Sequence, residues 1–343
     1  MNGRRIGVLV RLELIQRMRS VAWYVLLGVF AVLLVGVTAL AFLAWGGSDD
    51  RGAGIYSTVV LITLLLALLV SPTLSGNSIN GDRDAATLAP VQVTLATTGE
   101  ILLGRFLAAW ATGLAFAVVA APFLVVATLA GGVSPVTVIV SLAVLIVEIG
   151  VVAALGTALS GILARPLFSV ATTYLVVAAL VIGTPITVGL VAFSVRSEVV
   201  SSYRVVEYTE AGGVTCTDEW ETSVYEIPRP DTVWWVLAAN PFVVLADAIP
   251  TQFERGGWPV DLFGQLKLVV RSIQQPPELE QRYDECAPST GDDTTPRDII
   301  AETVPSWFVG LGVQLLLAGG LMAWAYRRTR TPARTLPRGT RIA

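Results

Sequence analysis

VAWYVLLGVFAVLLVGVTALAFLAW, residues 21–45, carries no charged side chain and is longer than the roughly 18 to 20 residues needed to cross about 30 Å of hydrocarbon. A soluble core would break such a run with charge every turn or two, so the expected solvent is lipid. Five further runs read the same way: Ile55 to Asn77, Ile101 to Leu129, Val136 to Leu163, Leu167 to Ser194 and Val304 to Tyr326. Composition agrees, with 54% hydrophobic and 14% charged residues among 343.

Outward from the first run, Arg4, Arg5, Arg11, Arg17 and Arg19 alternate with Ile6, Leu9, Leu12 and Ile15. That pattern predicts an amphipathic helix over 1–20, lying on the cytoplasmic leaflet where anionic lipid attracts Arg. A secretory signal cleaved near Ala39-Leu40-Ala41 is the alternative, but its apolar part should be shorter than 21–45. A basic tail, 327–343, follows the last run with Arg327, Arg328, Arg330, Arg334, Arg338 and Arg341. By the positive-inside rule both termini are cytoplasmic, which requires an even number of crossings. The expected fold is an all-α polytopic membrane protein of six transmembrane helices, five within 21–194 and the sixth at 304–326. A small α+β extracellular domain, 195–303, separates helices five and six, and the expected location is a bacterial plasma membrane.

Charge supports that division. From Val195 to Thr303 stand 19 Asp and Glu against 8 Arg and Lys, a net of −11 in a chain whose formal net charge is −3. The same excursion contains both cysteines, Cys216 and Cys286, which favours a disulfide in an oxidising compartment. Closing a loop of about 70 residues stabilises the folded domain by around 4 kcal/mol on the chain-entropy account. SYRVVEYTE (202–210) and TSVYEI (222–227) alternate like strands around an Ala211-Gly212-Gly213 turn, giving a sheet of two or three strands. VWWVLAANPFVVLADAI (233–249) is apolar but broken at Asn240-Pro241, and reads either as a hairpin dipping into the outer leaflet or as a buried helix of the outer domain. LFGQLKLVVRSI (262–273) reads as an amphipathic helix beside it.

Absent residue types exclude chemistry. The chain has no His and a single Lys, Lys267. Imidazole-dependent nucleophilic sites and ordinary zinc sites cannot be built, and no GxxxxGK[ST] phosphate loop is present. No catalytic residue, metal site or cofactor is therefore assigned. Ser160-Gly161 invites a serine-hydrolase reading, but without His it lacks the usual base.

The loop between the second and third runs, SINGDRDAATLAPVQVTLATTGEILLGRFLAA (78–109), carries the functional signal. Asp82-Arg83, Thr87-Leu88, Thr94 and Glu100-Ile101-Leu102-Leu103-Gly104-Arg105 stand in order, and the segment resembles the permease subunits of the type-2 ATP-binding-cassette (ABC) exporter family. That family carries a pattern like ER-x-x-GTLE followed by TPVS-x-x-EILLGK at this place. Ala86, Ala89 and the lack of Pro in 94–99 depart from it. The resemblance implies a coupling helix at 82–97 that docks on a separate ABC ATPase subunit, which supplies ATP and Mg, with Asp82, Arg83, Asp84, Thr87, Leu88 and Glu100 as contacts. It also implies a second permease, identical or homologous, and spans two and five lining the export path. Other expected partners are membrane lipid, and no nucleic acid.

Pro72 in span two and Pro185 in span five each remove a helical hydrogen bond and favour a kink. Thr172, Thr173, Tyr174, Thr184 and Thr187 are the polar groups of span five, more often inter-helix bonds than ligand contacts. Glu148 lies deep in span four, where a carboxylate must be neutralised, paired or face a cavity; it is a candidate for the pathway or interface. The rival to the exporter permease is a membrane-anchored assembly or sensor protein whose extracellular domain binds a partner. A secondary transporter fits less well, because intramembrane charges are few and no inverted repeat is evident.

Overall fold

The computed structural model describes residues 2–47, 51–81, 97–208, 214–216, 219–286 and 294–329. The chain is mostly helical, and six helices among the described residues are long and apolar enough to cross a membrane. In chain order, α1 (Gly3–Met18) leads into the first span, α2 (Val21–Trp45), then α3 (Arg51–Ser75), α4 (Thr98–Leu129) and α5 (Pro135–Ile162). The fifth span is α6 (Pro166–Ala178) and α7 (Thr184–Ser194) joined by a π-helical turn, Ala179–Gly183. After the strands come α8 (Trp234–Ala238), α9 (Pro241–Ala248), α10 (Leu262–Ser272), α11 (Pro296–Glu302) and the sixth span, α12 (Trp307–Thr329).

Caps rather than hydropathy set the helix ends. Thr97 and Glu100 form a capping box, so α4 starts at Thr98 rather than Ile101. Ser134 caps α5 with Pro135 in its first turn, and Gly131 and Gly132, at φ 96 and 77, make the turn before it in the left-handed region that favours glycine. At the sixth span Val304 lies outside the helix, which begins at Trp307, after Pro305. α4 has 32 residues. At 1.5 Å per residue that is about 48 Å, more than a hydrocarbon core, and its two ends lie beside Tyr326 of α12 and Gly52 of α3.

Alternating spans bring α1, the end of α3, the start of α4 and the ends of α5 and α12 together at one end of the bundle. There a Cβ on Gly99 would lie 3.6 Å from the Tyr326 ring, and one on Gly161 would lie 3.1 Å from Ala325. The sheet lies at the other end. α3 is the most enclosed span and the fifth the most exposed. Tyr56, Leu64, Phe116, Leu145 and Ile149 fill the bundle core, and Leu245, Ala246 and Phe263 of α9 and α10 join the same cluster. The segment 233–249 is thus two short helices broken at Asn240-Pro241, with α9 buried against α5, α12 and the π turn while Trp235 remains exposed.

α1 differs from the simple two-sided pattern. Leu12, expected on its apolar side, is exposed together with Val8, whereas Glu13 and Arg17 are half-buried. The helix packs mainly against the start of α4, which selects a face for ion pairing as well as for burial.

Beyond α7, β1 (Arg196–Arg204) pairs antiparallel with β4 (Glu221–Pro228) and parallel with β5 (Glu280–Asp284). β2 (Val206–Tyr208) and β3 (Val214–Cys216) form a separate two-stranded hairpin. The run 202–210 therefore divides between two sheets instead of forming one strand; the 211–213 turn lies outside the described residues. Cys216 and Cys286 are joined in a disulfide, as their placement predicted. It ties the hairpin to the end of β5, next to the Arg204–Asp284 ion pair at 2.6 Å.

Candidate functional site

At the α1 end, both stems of segment 82–96 are held by groups from other helices. On the outgoing side, the buried Ser160 hydroxyl of α5 accepts the backbone N–H groups of Ile79 and Asn80 at 3.0 and 3.1 Å. Ser160 is thus a structural clamp. On the returning side, the buried Glu100 accepts from Thr97 N–H at 2.9 Å and from Asn2 N–H at 2.6 Å, with Arg5 3.9 Å away. One carboxylate starts α4 and also ties it to the start of α1, where backbone N–H groups favour an anion.

Further along α1, Glu13 bonds Arg17 at 3.2 Å and also Arg105 of α4. Arg17 reaches the Leu74 carbonyl at the end of α3, 2.8 Å away. That carbonyl is one of the last in its helix and has no partner within it. Burial pushes the Arg17 guanidinium down to about 10, which leaves it charged at neutral pH. α1 therefore bridges the end of α3 and the start of α4, the two helices that segment 82–96 connects.

A second arrangement crosses the bundle toward the sheet end. Pro185 has no N–H to give to the carbonyl of residue 181, four positions back. Asn240 replaces it: its Nδ2 donates to Val181 O at 2.9 Å and to Thr184 Oγ1 at 3.1 Å, while its Oδ1 caps α9 through Phe242 N–H. Thr184 itself donates to Leu180 O. One residue before Asn240, the Ala239 carbonyl accepts from Gln314 Nε2 of α12 at 3.0 Å. Gln314 faces Glu148 of α5, and the Glu148 oxygens and Gln314 Oε1 lie outside hydrogen-bond geometry, fully buried. One amide N–H of Gln314 goes to Ala239, which leaves its second N–H and its Oε1 as the polar groups nearest Glu148. A polar thread thus runs Glu148, Gln314, Ala239-Asn240, Thr184 through spans four, six and five. Gly310 permits it, since a Cβ there would stand 1.8 Å from Ala238 O.

The short helices are anchored to the sixth span by charge. Asp247 accepts from Arg271 Nε at 2.8 Å and from the backbone N–H groups of Ser306 and Trp307 at 2.5 and 3.0 Å, at the start of α12. Lys267 donates to Ile249 O at 2.5 Å, and burial pushes its ammonium down to about 8. Asp261 caps α10 through Gly264 N–H, and burial raises its carboxyl to about 6.

The candidates fare as follows. Asp82, Arg83, Asp84, Thr87 and Leu88, with most of the expected coupling helix, lie outside the described residues. Glu100 is buried and bonded within the chain. Pro72 is buried near the end of α3, which runs unbroken through it, whereas Pro185 is exposed directly after the π turn. Glu148 and Thr184 belong to one thread. Of the polar groups named in span five, Tyr174 donates to Leu69 O and Thr184 accepts from Asn240, whereas Thr173 and Thr187 bond carbonyls of their own helix, Ser169 O and Gly183 O; Ser169, not among those named, donates to Gly76 O. Asn240, Asp247, Arg271 and Gln314 were not foreseen; the carbonyl orphaned by Pro185 was the one available signal for Asn240. No protein-family model matches the chain, and no curated protein is similar to it.

Proposed function

We propose that the chain is the permease subunit of an ABC exporter, forming half of a membrane path and driven by a separate ATPase subunit that docks on segment 82–96. The observation that carries this reading is the double grip on that segment's stems, Ser160 on one side and Glu100 with α1 on the other. A segment fixed at both ends passes displacement into α3, α4 and α5, as a handle for nucleotide-driven motion must. The sequence resemblance falls on the same segment. In this reading α1 and the basic tail are cytoplasmic, the sheet domain is extracellular, and the cargo is hydrophobic or amphipathic. The exposed Leu69 and Thr73 of α3, with Asn77 just beyond its end, then border the path beside the fifth span.

Purification of the tagged full chain from its native membrane tests it. An ATP-hydrolysing polypeptide should co-purify, and replacing Asp82, Arg83 and Asp84 together by Ala should remove it while the chain stays folded. Full export by the isolated chain, or labelling of 82–96 from the outside, overturns the proposal; binding of a partner through the sheet domain without any ATPase favours the sensor reading.

A further inference from the structure

α1 and α4 face each other across a gap. Gly3, Gly7, Val10 and Leu14 recur along one face of α1, and Leu107, Trp110, Ala111 and Leu114 recur at the same helical spacing on α4. Between these stripes lies an open groove of about 880 Å³. A Cβ built on Gly3 or Gly7 meets nothing within 4 Å, so the glycines leave the space empty rather than filling a close contact. Met18, an exposed apolar residue, closes the α1 side of the groove.

Charge at the groove is unbalanced. The acids nearby are engaged: Glu100 bonds Asn2 with Arg5 close by, and Glu13 bonds Arg17 and Arg105. Arg11, which lines the groove and is exposed, makes no ion pair among the described residues. An apolar slot open to the lipid-facing surface, with one unpaired guanidinium on its lining, matches an acyl chain joined to an anionic headgroup.

We infer that the groove between α1 and α4 is a binding site for an anionic phospholipid, its acyl chain against Val10, Leu14, Trp110 and Leu114 and its phosphate on Arg11. The inference rests on these helices lying in a membrane and not on export. It makes lipid a component of the bridge that α1 forms between α3 and α4.

The test takes the full chain through vesicles of equal parts phosphatidylglycerol and phosphatidylcholine, then into mild detergent, and measures retained lipid by native mass spectrometry. Phosphatidylglycerol should be enriched about five-fold, the factor one basic residue near a surface provides. Arg11→Gln should reduce the preference to about one-fold while retaining lipid. Gly7→Trp, which fills open space, should lose both lipids with an unchanged unfolding temperature; Ala111→Phe does the same from α4 should Gly7→Trp not assemble. Inorganic phosphate should fail to displace the lipid. Equal retention of the two lipids by the unaltered chain, undiminished retention in both filled variants, or displacement by phosphate overturns the inference.

Discussion

The two ends of the bundle use the same ionic chemistry under different hydration. At the α1 end, Glu13, Arg17 and Arg105 keep 13 to 20% of their side chains exposed. At the sheet end, Asp247 and Arg271 keep 0 and 4%, and the carboxylate also receives the first amides of a span. Water can take over a broken contact among Glu13, Arg17 and Arg105, whereas none waits at Asp247 and Arg271, nor at Glu100 of the α1 end, which is 2% exposed. The wet contacts can therefore be exchanged during motion, and the dry ones behave as fixed joints.

The comparison breaks first at Arg271. Arg271→Ala leaves Asp247 buried without its one charged partner and should cost about 3 to 5 kcal/mol in unfolding of the detergent-solubilised chain. A loss no greater than that of an α1-end variant would abolish the distinction. Next, Asn240→Asp keeps the oxygen that caps α9 but removes the donor to Val181 O, with an expected cost of about 1 to 3 kcal/mol. Asn240→Ala should be at least as harmful, and equal stability of both variants with the unaltered chain would deny the clasp. At the α1 end Thr97→Ala should cost about 1 kcal/mol and speed amide exchange in the first turns of α1 and α4 alone.

Acidity sharpens the contrast at the dry end. Asp261 has a folded carboxyl raised to about 6, above its usual value, so its contribution is present at low pH and is lost as pH rises through about 6. Asp261→Asn, which keeps the cap, should flatten unfolding temperature between about pH 4 and 6. Lys267, depressed to about 8, acts oppositely: its stabilisation is complete above its ordinary value and is lost as pH falls through about 8. The smallest effect is expected at Glu148→Gln, which preserves shape and offers Gln314 Oε1 a donor; stability and transport should hold. Lost transport with normal assembly would assign the carboxyl itself to the path.

The six spans were legible because lipid imposes a length of uncharged chain that no soluble element needs. The disulfide was legible from the placement of the only two cysteines. What pairing adds was not: Asp247 stands in α9 and Arg271 near the end of α10, with a loop between the helices, and nothing local distinguishes them from the other charges of an acidic excursion. The π turn at Ala179–Gly183 was hidden for a sharper reason. Its residues are ordinary span residues, and Pro185 pointed to a disturbance without saying whether the helix would bend or add a residue.

That added residue has a rotational consequence. Ser169, Thr173, Val177, Thr184 and Val188 would form one continuous stripe on an unbroken α-helix. A π turn closes its hydrogen bonds one residue later, so the upper part is swung by about the 100° that one residue occupies. The stripe therefore faces α3 and α5 below and α8 above, like a screw whose thread is re-phased halfway along its shaft. Removing a single residue from 179–183 would wind the two parts back into phase and carry Thr184 out of reach of Asn240.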